Sequence, residues 1–351
     1  MNRGQFRGIL GLTSAWLAVC ACLGFAALSS TAAAAPAAPQ ATTQPARSWE
    51  NYFGVAILPS GRAVVVGDKG VVMVSDDQGK TWARRQLRQG VRYDNLYSVA
   101  FAPDGASGWA VGDNGAIFRT TDRGATWTEQ KAPANSALMT VAVIDAQKAC
   151  AAGDHGNIVC TTDGGATWNL HNVGGDIGIF DLTFTDANNG WAVGEFQTVL
   201  HSSDGGASWK IALGGDRMKA SDPYFAIAFG GGHDGLALGL SGTALQTSDG
   251  GVTWKPIRLA IAQSSFYAVA TVPARADSYY AAGENGVAAL LAGGQLSQVQ
   301  SGTSNAIAAL AFSDHFAMAV GLYGTLLLSD DGGQHWHSLN NSELALQNQA
   351  Q

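Results

Sequence analysis

Short apolar stretches, cut by glycine, proline and polar turns, set the pattern of this chain. Within residues 96–131, LYSVAFAP and GWAVGD are apolar, GAIFRTTD follows across the tight turn Gly-Asp-Asn-Gly, and TWTEQK closes the unit. Runs of this length, bounded by turn residues, predict four short β-strands. Nowhere beyond the N-terminal segment does a sustained 3.6-residue periodicity predict a helix.

The unit repeats. SDDQGKTW, TTDRGATW, TTDGGATW, SSDGGASW, TSDGGVTW and SDDGGQHW end on Trp82, Trp127, Trp168, Trp209, Trp254 and Trp336. The tryptophans lie 45, 41, 41, 45 and 82 residues apart, the last being two periods. A second marker, a Gly-acid-x-Gly turn or a close variant, sits at Gly67, Gly112, Gly153, Gly194, Gly239, Gly283 and Gly321. It fills the gap with a sixth unit whose Asp-box has decayed. Seven repeats of four strands predict an all-β chain folded as a seven-bladed β-propeller, since radial closure protects sheet edges.

Each Asp-box has a structural task. Its aspartate (Asp77, Asp122, Asp163, Asp204, Asp249, Asp331) accepts N–H bonds within its own turn. The glycine two residues later adopts positive φ, and the tryptophan buries its ring with its N–H bonded nearby. Six near-copies at one position mark a hairpin that maintains the fold, not six active sites.

Composition narrows the function. Charged residues are 13% of the chain and the net charge is −7, which disfavours non-specific nucleic-acid binding. Arg3 and Arg7 precede an apolar run from Ile9 to Leu28 and the small residues Ser29–Ala35, the order of a secretory signal peptide. The expected layout is a signal over 1–35, a flexible leader over 36–48, the propeller over 49–340 and a tail over 341–351. Export to the periplasm follows, with no membrane span after cleavage. A monomer is expected.

Cys20 and Cys22 lie in the signal, leaving Cys150 and Cys160. A type I turn with a glycine bulge at Gly153-Asp154-His155-Gly156 sets Gly153 opposite Asn157. Cys150 then faces Cys160, within disulfide reach. Two buried free thiols are the alternative.

The GWAVGDNG turns, the TTDGGATW boxes and the seven units after a signal together resemble the photosystem II stability/assembly factor family of Asp-box (BNR) propellers. The resemblance covers about 49–340. It implies a non-enzymatic assembly factor that holds a membrane-protein subunit, in the thylakoid lumen if the source is photosynthetic. The branch in non-photosynthetic bacteria is expected, with an envelope membrane complex or exporter as partner and no cofactor.

One face of such a propeller carries both the turns between second and third strands and the blade-to-blade connections. It gathers Lys69, Asn114, His155, Phe196, Ser241, Asn285 and Tyr323, which differ from blade to blade, while the Asp-boxes occupy the other face. Arg84, Arg85, Arg88 and Arg92 form a basic cluster next to Tyr93, a mixture enriched at protein interfaces. With Phe196, Arg217, Lys219, Tyr224 and Tyr323 they are the candidate partner-binding residues. Their alternative is ordinary loop decoration.

Sialidases share the Asp-box, so a glycan-binding or glycoside-hydrolysing propeller is the rival. Against it, the opening Arg-Ile-Pro motif is absent and no arginine occurs between Arg123 and Arg217. Asp113, Asp154, Glu195 and Glu284 recur on one face as a two-carboxylate glycosidase might need, yet their place after glycine fits turn chemistry. The seven histidines form no metal-ligand set, and His335-x-His337 lacks a third ligand.

Overall fold

The computed structural model describes residues 41–42, 49–218, 222–231, 233–259, 261, 264–273, 275, 278–293 and 295–339. The expected signal, most of the leader and the tail lie outside them.

Seven antiparallel sheets are arranged as blades. Blade one runs Tyr52–Ile57, Ala63–Gly67, Val71–Ser75 and Trp82–Gln86, and blade seven runs Ile307–Phe312, Ala317–Gly321, Leu326–Ser329 and His337–Ser338. The second strands, such as Ala63–Gly67 and Gly108–Gly112, are wholly buried, because both of their faces pack on neighbouring blades. This explains their unbroken apolar runs. The outer strands Thr128–Gln130 and Lys210–Leu213 are largely exposed and polar or mixed.

The inner strands touch one another around the ring and enclose a central channel of about 600 Å³, lined from all seven blades. Each inner strand begins with a buried residue (Tyr52, Leu96, Leu138, Ile179, Tyr224, Phe266, Ile307) and bulges immediately after it.

The Asp-box bonds are as the sequence predicts. Asp163 accepts the Thr167 N–H at 2.9 Å, the Thr167 hydroxyl at 2.6 Å and the Thr161 hydroxyl at 2.9 Å. Gly165 has φ 80°. A Cβ at the matching Gly206 would run into the sulfurs of Cys150 and Cys160 on the preceding blade, so the glycine also permits close blade-to-blade approach. The tryptophan N–H follows expectation only in part. Trp82 donates to Gly79 O at 2.9 Å and Trp127 to Gly124 O at 3.1 Å. Trp209 and Trp254 bury theirs without a protein partner.

Blade six, without an Asp-box, closes its last hairpin directly, with Ala292 opposite Gln295. The glycine-rich two-residue connection substitutes for the longer box.

Cys150 pairs with Cys160 in register and the two are disulfide-bonded, their Cα atoms 4.1 Å apart. The adjoining turn differs from the type expected. His155 (φ 61°) and Gly156 (φ 71°) are both left-handed, and Asn157 N–H donates to Asp154 O. This is a type I′ turn on a bulge, which matches the strand twist better than type I and preserves the same register.

Among the described residues, no strand is exchanged between the two ends of the propeller. Blade one packs directly on blade seven through Tyr52, Val65, Met73 and Trp82 against Phe316, Met318, Val320 and Leu326. The seam is tied by Gly324 N–H to Glu50 O at 2.6 Å and Tyr323 N–H to Asn51 Oδ1 at 3.0 Å. Within the segment expected as leader, Ala41–Thr42 forms a fifth strand on the outer edge of blade one.

Candidate functional site: the connection-bearing face

In every blade the residue between the acid position and the closing glycine is left-handed without being glycine. Lys69, Asn114, His155, Phe196, Ser241, Asn285 and Tyr323 all have φ between 52° and 61°. For bulky residues this conformation is uncommon and strained. Blade four goes further, because Gln197 stands where the other blades have glycine and has φ 54° as well. The turn lifts these seven side chains onto one face, beside the long connections.

Two exposed clusters form there. The connection from blade one to blade two folds into a small hairpin, with Gln89 bridging Arg92 and Val91 89% exposed at its tip. Arg88 lies 5.5 Å from the ring centre of Tyr93, itself exposed. Arg92 reaches Asp94 Oδ2 and Gln89 Oε1, each at 3.4 Å. On the other side of the ring, Arg217 stacks over Phe196 at 5.0 Å, donates to Gly175 O at 2.6 Å and pairs with Asp176 at 3.4 Å. Met218 beside it is almost fully exposed. Tyr323 is exposed at its turn.

Three candidates are placed elsewhere. Tyr224 is the first residue of its inner strand and buried in the core, where the other blades set Leu96 or Phe266; it offers no surface. Arg84 forms a bidentate pair with Glu50 at 2.6 and 2.9 Å. Arg85 donates across the blade boundary to Ala125 O of the next Asp-box. These two arginines hold the fold together and are not free for a partner. Lys219 lies outside the described residues.

The recurrent carboxylates differ from the expected turn chemistry: they reach back to the start of the inner strand of their own blade. Asp68 accepts the Asn51 N–H at 2.8 Å, Asp113 the Tyr97 hydroxyl at 2.8 Å, and Glu195 the Gly178 N–H at 2.8 Å. Burial pushes the carboxyls of Asp68, Asp113 and Asp154 up from the ordinary carboxylate value. Among the described residues, no His, Cys, Asp and Glu cluster is suited to a metal.

Sequence reasoning missed an aromatic collar. The second residues of the inner strands pack ring to ring between adjacent blades: Phe53 with Tyr97 at 5.3 Å, Phe180 with Phe225 at 5.3 Å, and Phe225 with Tyr267 at 5.4 Å. The recurring aromatic in that place was the available signal. Below it Asp181 lines the channel and joins three blades, accepting the Thr140 hydroxyl at 3.2 Å, the Leu182 N–H at 2.8 Å and the Ile227 N–H at 2.9 Å. Burial pushes its carboxyl up to about 6.

The family model described as Photosynthesis system II assembly factor YCF48 matches residues 27–121 and 50–179. The repeats within residues 27–179 resemble that family. Among solved structures, one titled YCF48 bound to D1 peptide is 19% identical with a TM-score of 0.65, covering 85% of this chain and 98% of its own. YCF48 from Cyanidioschyzon merolae is 19% identical with a TM-score of 0.53, covering 69% of this chain and 84% of its own. The GH74 xyloglucanase from Xanthomonas campestris is 16% identical with a TM-score of 0.67, covering 86% of this chain and 56% of its own. These likenesses show a shared propeller fold, which YCF48 and a glycoside hydrolase both use. No curated protein matches the chain in sequence.

Proposed function

We propose that this protein is an exported, non-enzymatic scaffold that binds a subunit of a membrane-protein complex or exporter during assembly. It does so with the connection-bearing face, in the periplasm or an equivalent compartment. The observation that carries this reading is the division of labour between the faces. The Asp-box face repeats one structural hairpin. The opposite face presents blade-specific side chains on seven strained turns, with Arg88, Tyr93, Phe196, Arg217 and Tyr323 outward. Strained, solvent-facing turns on a rigid ring are where a binding surface is expected. The family match and the YCF48 relative titled as bound to a D1 peptide support a protein partner. The cross-strand disulfide fits an oxidising compartment.

The test is co-purification of partners from detergent-solubilised envelope. Arg88→Glu with Arg92→Glu is expected to reduce partner recovery at least ten-fold and leave the melting temperature unchanged, since exposed charges contribute little stability. Lys80→Glu with Arg123→Glu, in the Asp-box turns, is the control. Loss of recovery with the control pair alone would place the working surface on the wrong face.

A further inference from the structure

We infer that the central channel binds a small alkylammonium ligand, with Asp181 receiving the positive head and the channel wall holding the apolar body. The site is separate from the partner surface proposed above and does not depend on it. The channel's volume of about 600 Å³ falls in the range of small-molecule sites, which set a few placed polar groups in an apolar wall. Ile57, Val99, Val143, Ile227, Val269 and Leu310 line it from six blades. Among the described lining residues, Asp181 is the one ionisable side chain.

The charge of Asp181 exceeds what the fold requires. Asp181 is the third residue of its inner strand, and its Oδ2 accepts the Ile227 N–H of the next blade at 2.9 Å. The same place in blade two holds Ser98, whose hydroxyl accepts the Val141 N–H of the following blade at 3.2 Å. Blades five, six and seven set Ala226, Ala268 and Ala309 there. A neutral hydroxyl therefore makes this inter-blade bond, and three blades close without a side-chain acceptor. Only blade four brings a carboxylate.

That carboxylate is held rigid and is not fully used. Thr140 and Leu182 donate to Oδ1, and Ile227 donates to Oδ2. A carboxylate offers about four acceptor sites, so Oδ2 keeps one open. None of the three donors titrates, and among the described residues no arginine, lysine or histidine pairs with Asp181. The ionised form thus has no counter-charge inside the ring, where an unpaired charge is costly. An ammonium supplies both the charge and a donor for the open site. Calcium does not match, because it takes about six to eight oxygen ligands and only Thr183 and Thr271 add side-chain oxygens among the described lining residues. An aliphatic body on the ammonium matches the wall.

The experiment titrates hexylamine into the purified protein by isothermal calorimetry at pH 7.5, beside hexanol and hexanoate. Saturable binding of hexylamine is expected, at least ten-fold tighter than that of hexanol, with hexanoate weaker still. Asp181→Ser, which copies blade two, is expected to stay folded by circular dichroism and to bind hexylamine at least ten-fold more weakly. Asp181→Asn is the second variant, with the same expectation. In the wild type, affinity is expected to fall about ten-fold from pH 7.5 to pH 5, as the carboxyl raised to about 6 takes up its proton. If neither variant folds, this pH profile decides. No saturable hexylamine binding, equal affinity in a folded variant, or an affinity that does not change with pH would each overturn the site.

Discussion

At the scale of the residue, the carboxylates fall into two groups with opposite responses to pH. The Asp-box carboxylates Asp163, Asp249 and Asp331 are held down at about 2, the first two chiefly by side-chain and backbone bonds from Thr167 and Thr253, Asp331 by bonds from His335 that outweigh its burial. Their unfolded value is about 3.9. Their stabilisation is therefore present above about pH 4 and lost as pH falls toward 2. Asp181 is the reverse case. Burial raises it to about 6, so its contribution is fully present below about 4 and lost as pH rises through 6. Scanning calorimetry across pH 2–8 should show the melting temperature dropping steeply below pH 4. The wild type should also lose ground relative to Asp181→Asn between pH 4 and 7. A wild-type minus variant difference that is flat over that interval would mean Asp181 does not titrate there.

At the scale of the element, the turn between second and third strands carries the most strain. Gln197 occupies a left-handed position filled by glycine in the other blades (Gly70, Gly115, Gly156, Gly242, Gly286, Gly324). A non-glycine residue in this region costs about 1–2 kcal/mol, part of which is offset by the unfolded-state entropy of glycine. Gln197→Gly is expected to raise stability by about 0.5–1 kcal/mol in urea unfolding, with the slope unchanged. A loss of stability would show that the Gln197 side chain makes a compensating contact. The hairpin elements were largely legible in the sequence, because the Asp-box, the turn glycine and the Cys150–Cys160 register depend on local chemistry and on counting. Arg84, Arg85 and Tyr224 were not, for a physical reason. The partners of Arg84 and Arg85 lie 34 and 40 residues away, and the burial of Tyr224 depends on where its inner strand begins.

At the scale of the whole molecule, the ring is held shut by packing between blades one and seven and by the hydrogen bonds from Gly324 and Tyr323 across the seam. Phe316 and Met318 of blade seven sit in one cluster with Tyr52 and Trp82 of blade one, and among the described residues no shared strand reinforces the seam. Phe316→Ala is expected to cost about 3–5 kcal/mol. Amide exchange should then quicken first in blades one and seven. Uniform quickening around the ring would show that the seam is no weaker than the other blade boundaries. The sequence by itself determined the number of blades, the identity of the hairpins and the register that sets Cys150 opposite Cys160, because each is written in a repeat or a short turn. Only the tertiary structure decided which arginines remain free, where aromatic rings from separate blades meet, how the ring closes and which edge carries a fifth strand. Those outcomes depend on side chains and backbones from different blades arriving at the same place, and a repeat period carries no record of that.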